Sequence, residues 1–288
     1  MTAVTVRAEA MSVVDQPPSL GEELRTVGMV WERELIRFER TRSRIFSGFI
    51  QPFVFLFVLG YGMSTLTPTI HGFGFTKFVL PGVVAMTVST TAIGSAISIV
   101  WDREFGFLRE MLVAPVGRWA LVVGKCLGGA TIATIQGIVF LALAGFAGVP
   151  YNPVLLLTLT GEMLLLAFTL TAFGVMMAAR ITQFQAFMAL TQMLVMPLFF
   201  LSGALYPLSG LPAWLAVLTR IDPLTYVVGP MREAVFSHLS IPAAEQHLLA
   251  PGLTWAGWPV PIWLALSIVA LMGLAMMGVG IAQFRKTE

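Results

Sequence analysis

Charge is scarce in this 288-residue chain: Lys, Arg, Asp and Glu make up 11% of it, against 57% hydrophobic residues and a mean hydropathy of +0.85. A soluble domain carries about a quarter charged residues, so the composition excludes one and places the chain in a lipid bilayer. Cysteine is reduced to Cys126 alone, which excludes an internal disulfide and a cysteine-based metal cluster. His71, His238 and His247 are far apart in loops and lack the close spacing of a zinc site; no metal is expected. The basic residues sit at segment ends without interleaved aromatics, so no nucleic-acid partner is expected either. Residues 1–18 contain Glu9, Asp15 and Pro17-Pro18 and no continuous apolar core; they read as a disordered cytoplasmic tail rather than a secretory signal.

What the chain does have is long apolar runs. A membrane helix needs about 20 mostly apolar residues, and six stretches qualify, near 45–66, 78–100, 119–148, 154–179, 186–207 and 259–282. A seventh, 211–230, is interrupted by Arg220, Asp222 and Pro223 and is expected not to span, because a buried Arg or Asp costs about 2.5–3.5 kcal/mol. Of the 17 Lys and Arg, all but Lys77, Arg220 and Arg232 fall on one side of this arrangement. The positive-inside rule then makes both termini cytoplasmic, in a multi-pass protein of the plasma membrane. Pro52 and Pro197 are expected to kink the first and fifth spans. The fold class is therefore all-α integral membrane, with a transmembrane domain over 45–282 and a short cytoplasmic C-terminus at 283–288.

Ahead of the first span, residues 19–44 read as an amphipathic interface helix. Leu20, Leu24, Val27, Trp31, Leu35 and Phe38 make one apolar stripe, and Ser19 with Glu22 has the spacing of a capping box. Glu34 and Arg37 are three apart, close enough to pair on the exposed face.

A charged segment interrupts the oil between the second and third spans: WDREFGFLREMLVAPVGRW, residues 101–119. At about 100° per residue, Trp101, Phe105, Leu108 and Leu112 fall on one stripe and Asp102, Arg103, Arg109 and Glu110 on the opposite arc with Gly106. The pattern predicts a cytoplasmic amphipathic helix over 101–114, ended by Pro115 and Gly117. A helix held only by anionic lipid favours Lys and Arg; mixed signs suit docking onto a protein.

DREFGFLREMLVAPVGR resembles the signature loop of ABC-2 type permeases, the membrane subunits of a class of ATP-driven exporters. FVLPGVVAM at 78–86, FLSGALYPLSGLPAWL at 200–215 and IDPLTYVVGPMREAVF at 221–236 are also similar to that family, most closely to its daunorubicin-resistance branch, with a departure at Gly229-Pro230. The resemblance implies that 101–114 is a coupling helix docked on an ATPase subunit through Asp102, Arg103, Glu104, Gly106, Arg109 and Glu110. It implies short outer re-entrant helices within 208–258, where Asp222, Pro223 and Tyr226 would gate the exit. Asp222-Pro223 itself reads as a helix start running to about Phe236.

The resemblance fits a permease, paired with a second identical or sister chain, that moves a hydrophobic or amphipathic drug or lipid outward. Glu162, the one acidic residue well inside a span, faces a cavity or a partner; it could contact a cationic substrate or hydrogen-bond Gln136 or a neighbouring Thr. Ser95 belongs to a run of small residues in the second span that serves close packing or lines a polar path. With Glu162 and Gln136 it marks the expected substrate path. The rival class is an ion-driven secondary transporter, which calls for inverted repeats and several intramembrane charges; the sequence has no evident repeat.

The only Gly-Lys pair, Gly124-Lys125, is followed by Cys126 and has Trp119 where a phosphate-binding loop needs glycine. The chain is therefore expected not to be an enzyme and to bind no cofactor, with ATP and Mg on a partner. In a phosphate-release assay the purified chain alone should leave ATP intact; hydrolysis free of other proteins would overturn this division of labour.

Overall fold

The computed structural model describes residues 19–66, 75–106, 117–208, 211–239, 253–255 and 258–285. The expected tail and residues 107–116, with Arg109 and Glu110, lie outside them. In chain order the helices are α1 (Leu20–Arg40), α2 (Arg42–Val54), α3 (Gly60–Leu66), α4 (Phe75–Ser95), α5 (Ile97–Glu104), α6 (Arg118–Leu141), α7 (Pro153–Ala178), α8 (Phe184–Leu201), α9 (Ala213–Ile221), α10 (Thr225–Ser237) and α11 (Ile262–Arg285). A two-residue antiparallel pair, β1 (Thr254–Trp255) and β2 (Trp258–Pro259), precedes α11; no sequence signal pointed to it.

Five helical stretches are long and apolar enough to cross a membrane: Phe75–Glu104, Arg118–Leu141, Pro153–Ala178, Phe184–Leu201 and Ile262–Arg285. The first expected span is instead represented by a shorter apolar helix, Gly48–Ser64. It is continuous through a π-turn at Phe55–Leu59. Pro52, which lacks an N–H, lies just before it, and the Phe55 N–H is shared between the carbonyls of Gln51 and Pro52. The fifth expected span stops earlier than 207, at Leu201, with Gly203 in the left-handed region at φ 73°.

Burial divides the bundle. Within the most apolar stretch of each crossing, 83% of residues are buried in Phe75–Glu104 but only 22% in Phe184–Leu201 and in Ile262–Arg285. The main core is made by α4, α6 and α7, with α10 packed among them through Val227, Val228, Met231 and Val235. Spans α8 and α11 therefore present most of their surface outward, to lipid or to another chain.

Ser19 and Glu22 form the expected capping box, and α1 begins there. It ends at Arg40 rather than 44, with Thr41 as C-cap. Its buried flank is Thr26, Val27, Val30 and Glu34, rotated from the expected stripe: Leu20 and Leu24 stay 76% and 64% exposed. A capping box and amphipathic pattern fix the helix but not which polar residue finds a partner below it. The buried flank lies on α6, and two glycines allow the approach. A Cβ on Gly124 would meet Val30 Cβ at 2.8 Å and the Val27 carbonyl at 2.9 Å; one on Gly128 would meet Glu34 Cβ at 2.8 Å. Small residues one turn apart are what close helix packing in lipid requires.

Gly124→Val should push α1 off α6 and cost about 1–3 kcal/mol, seen as a lower thermal unfolding midpoint in detergent. Gly28→Ala, on the open side of α1 where nothing lies within 4 Å, should leave that midpoint unchanged or raise it.

Candidate functional site

At the end of the bundle where α1 crosses α6, charged side chains meet in a place with little water. Lys125, from α6, donates to Glu34 Oε1 at 2.6 Å, to Ser98 Oγ at 2.8 Å and to Asp102 Oδ2 at 3.2 Å. Arg33 and Arg37 of α1 reach the two oxygens of the same Asp102 at 3.1 Å each. Lys125, Glu34 and Asp102 are at most 9% exposed, whereas the two arginines are about two-fifths open. Burial pushes the Glu34 carboxyl up, and Lys125, Arg37 and Arg33 more than reverse this, holding it below its usual 4.5.

This overturns two expectations drawn from helical spacing. Glu34 does not pair with Arg37 on an exposed face; each turns inward to a different partner. Asp102 does not sit on an open docking arc. The helix carrying it also stops earlier than expected: α5 ends at Glu104, and Gly106 is left-handed at φ 81°, so one helix does not run through 101–114. Only a residue without Cβ takes that conformation cheaply.

Arg103 is also turned inward. Its guanidinium donates to the carbonyls of Ala178, Ala179 and Ile181 at 3.4, 3.0 and 3.2 Å, satisfying the open end of α7. Arg118 does the same for α11, donating to Phe284 and Arg285 carbonyls at 3.1 and 2.9 Å. Trp119 donates to Glu23 of α1 at 2.7 Å. Of the six residues expected to dock, Glu104 and Gly106 are exposed, together with Phe105 at 71%. The two described ends of the segment are thus pinned to α1, α7 and α11, and Glu104–Gly106 at the first of them are open.

The residues expected along a substrate path do not converge. Gln136 accepts from Thr91 Oγ1 at 3.0 Å and lies beside a groove lined by Gln51, Thr90, Thr91, Thr191 and Gln192, with about 1060 Å³ of open space. Ser95 is buried and bonds back to the Ala92 carbonyl; close packing beside Gly129 is its use. Glu162 is buried on α7, away from the groove, and its Oε2 has no hydrogen-bond partner among the described residues. Neither Gln136 nor a threonine reaches it.

At the other end of the bundle, Asp222 accepts from Leu224 N–H at 2.9 Å and Thr225 Oγ1 at 3.1 Å; α10 begins at Thr225 with Leu224 as its N-cap, two residues later than the start the sequence suggested at Asp222-Pro223. Tyr226 donates to the Arg220 carbonyl at 2.8 Å and meets Trp255 edge-on at 6.4 Å. Asp222, Pro223 and Tyr226 are all buried, so they clamp α9 to α10. Arg232, counted in the sequence only as a loop charge, is buried, donates to the Gly203 carbonyl at 2.7 Å and lies 3.9 Å over the Phe78 ring.

The long apolar helices of the bundle define a multi-pass helical membrane protein. The sequence model of the ABC-2 type transporter family matches residues 25–236, and the chain belongs to that family as a transport permease. It is 29% identical over 213 residues to the putative transport permease ycf38 of Cyanophora paradoxa, covering 73% of each chain. It is 32% identical over 152 residues to the probable multidrug ABC transporter permease YbhR of Escherichia coli K12, covering 52% of this chain and 41% of that one. Against the inner membrane transport permease YadH of the same strain it is 24% identical over 205 residues, covering 70% and 80%.

Removing one partner of a buried ion pair costs about 3–5 kcal/mol because the other charge is left stranded. Lys125→Met should therefore lower stability by about that much, and Lys125→Met with Glu34→Met should recover part of it. Because the Glu34 carboxyl is depressed, its contribution is complete above pH 4.5 and is lost as pH falls through the lower folded value. Thermal melts taken between about pH 3 and 7 should show that acid loss in the native chain and a smaller one in the double variant.

Proposed function

We propose that this permease is the transmembrane subunit of an ATP-driven exporter, and that a separate ATPase subunit, which binds ATP and Mg, seats on the loop joining α5 to α6. The observation that carries this is the loop's construction. Glu104 to Gly106, where the segment leaves α5, are exposed, while Arg103, Arg118 and Trp119, beside them in sequence or at the start of α6, are fastened to three different helices. A load applied at Glu104–Gly106 is passed to the helices that the neighbouring side chains hold, which is what rigid-body switching of a packed bundle needs. The membership of the ABC-2 family supports such a partner.

In this reading Gly48–Ser64 and its flanking turns complete six crossings, both termini are cytoplasmic, and the protein lies in the plasma membrane. The outward surfaces of α8 and α11 leave room for a second permease chain. The α9–α10 pair forms the outer region, dipping into the outer leaflet. A hydrophobic or amphipathic cargo, drug or lipid, suits the apolar walls, and the similarity to YbhR, a probable multidrug ABC transporter permease, supports it.

A photo-crosslinking residue in place of Phe105 should join the ATPase subunit when the complex is assembled in membranes. Phe105→Ala should weaken ATPase binding about fivefold to thirtyfold without changing the thermal midpoint of the chain. Crosslinks to lipid alone, or labelling of residue 105 by a membrane-impermeant reagent from outside the cell, would overturn the reading.

A further inference from the structure

The groove beside Gln136 has a chemical character that the family assignment does not supply. It lies between α2, α4, α6 and α8, with Trp101 and Phe184 at the mouth nearest the charged loop, their rings stacked at 5.4 Å. Its polar lining consists of amides and hydroxyls: Gln51, Thr90, Thr91, Gln136, Thr191 and Gln192. Among the described residues that line it, none is ionisable. Ile97, Met188 and the two aromatic rings supply an apolar side.

Two details make this wall more than incidental polarity. Gln192 is exposed well inside α8, where a lipid-facing amide would forfeit its hydrogen bonds. Gln136 is 3% exposed, and among the described residues its Nε2 has no hydrogen-bond partner. A guest that brings hydroxyl or amide groups against Gln192 and the neighbouring Gln and Thr side chains supplies the hydrogen bonds that lipid tails cannot. A guest that brings a net charge finds no counter-ion, and its desolvation goes unrepaid. The one buried carboxylate of α7, Glu162, stands apart from the groove and is not available to a cation there.

The geometry points to a binding site for an uncharged, hydrogen-bonding amphiphile: a hydroxyl- or amide-bearing headgroup against the Gln and Thr wall, with its apolar part against Ile97, Met188 and the Trp101–Phe184 stack. As the cargo class, this presupposes that the chain is a transport permease; as a binding site, it does not need an ATPase.

The full chain in phosphatidylcholine nanodiscs is titrated with three radiolabelled probes of equal alkyl length, below their micellar concentrations: an alkyl glucoside, an alkyl trimethylammonium and an alkyl sulfate. Uptake by empty nanodiscs is subtracted. The glucoside should bind saturably and at least about tenfold more tightly than either charged probe. Gln192→Leu, at an exposed position, should weaken glucoside binding about fivefold, and Thr90→Val should weaken it independently. Gln192→Glu should shift preference toward the trimethylammonium probe. Equal binding of charged and neutral probes by the native chain, or glucoside binding untouched by both Gln192→Leu and Thr90→Val, would overturn the proposal. A chain that binds the glucoside as expected but never takes an ATPase subunit would sustain the groove and overturn the exporter reading alone.

Discussion

The contact on which this end of the molecule depends is the ammonium of Lys125 held between Glu34 and Asp102. Each of the three lies on a different element, α6, α1 and α5, and none is more than 9% exposed. In a place with so little water an uncompensated charge is expensive, so the three elements are locked to one another by the cost of separating them as much as by attraction. Gly124 and Gly128 make the lock reachable: without their missing side chains, α1 could not come near enough to α6 for Glu34 to meet Lys125.

At both ends of the bundle, arginines perform a second task. Arg103, Arg118 and Arg232 each donate to the open carbonyl end of another helix, α7, α11 and α8 respectively. Helices in lipid gain little from hiding apolar surface against each other, so polar contacts at their ends carry much of the specificity of the assembly. These positive charges thus fasten the helix ends to one another.

Much of the fold was legible in the sequence, because apolar runs and caps are local signals. Five of the six expected spans correspond to helices that can cross, the Ser19–Glu22 box starts α1, and a helix follows Asp222-Pro223, beginning at Thr225. What helical spacing could not give was the partner of each polar residue. Asp102 and Arg103 fall on a plausible docking arc when drawn on a wheel, yet each is claimed by a residue more than twenty positions away. Lys125 carried the one available hint: a cation seven residues into an apolar helix demands a buried carboxylate, and Glu34 and Asp102 were the candidates. For the groove, Gln136 was identified, but Gln51 and Gln192 were passed over because isolated amides in apolar runs look unremarkable one at a time. The halt at Gly106 was hidden by the continuous amphipathic pattern on either side of it.

The separation of Glu34 from Lys125 by 91 positions sets an order of events during biosynthesis. At about 5–20 residues per second, α1 leaves the ribosome roughly 5–20 s before its partner helix exists. In that interval its carboxylate lacks the Lys125 ammonium and has only the weaker contact with Arg33 of its own helix, at 3.5 Å. The bare flank of Leu20 and Leu24 gives it somewhere to rest, on the headgroup layer, until α6 inserts and draws it down. The feature that looks like an unfinished interface in the mature molecule is, on this timescale, a mooring.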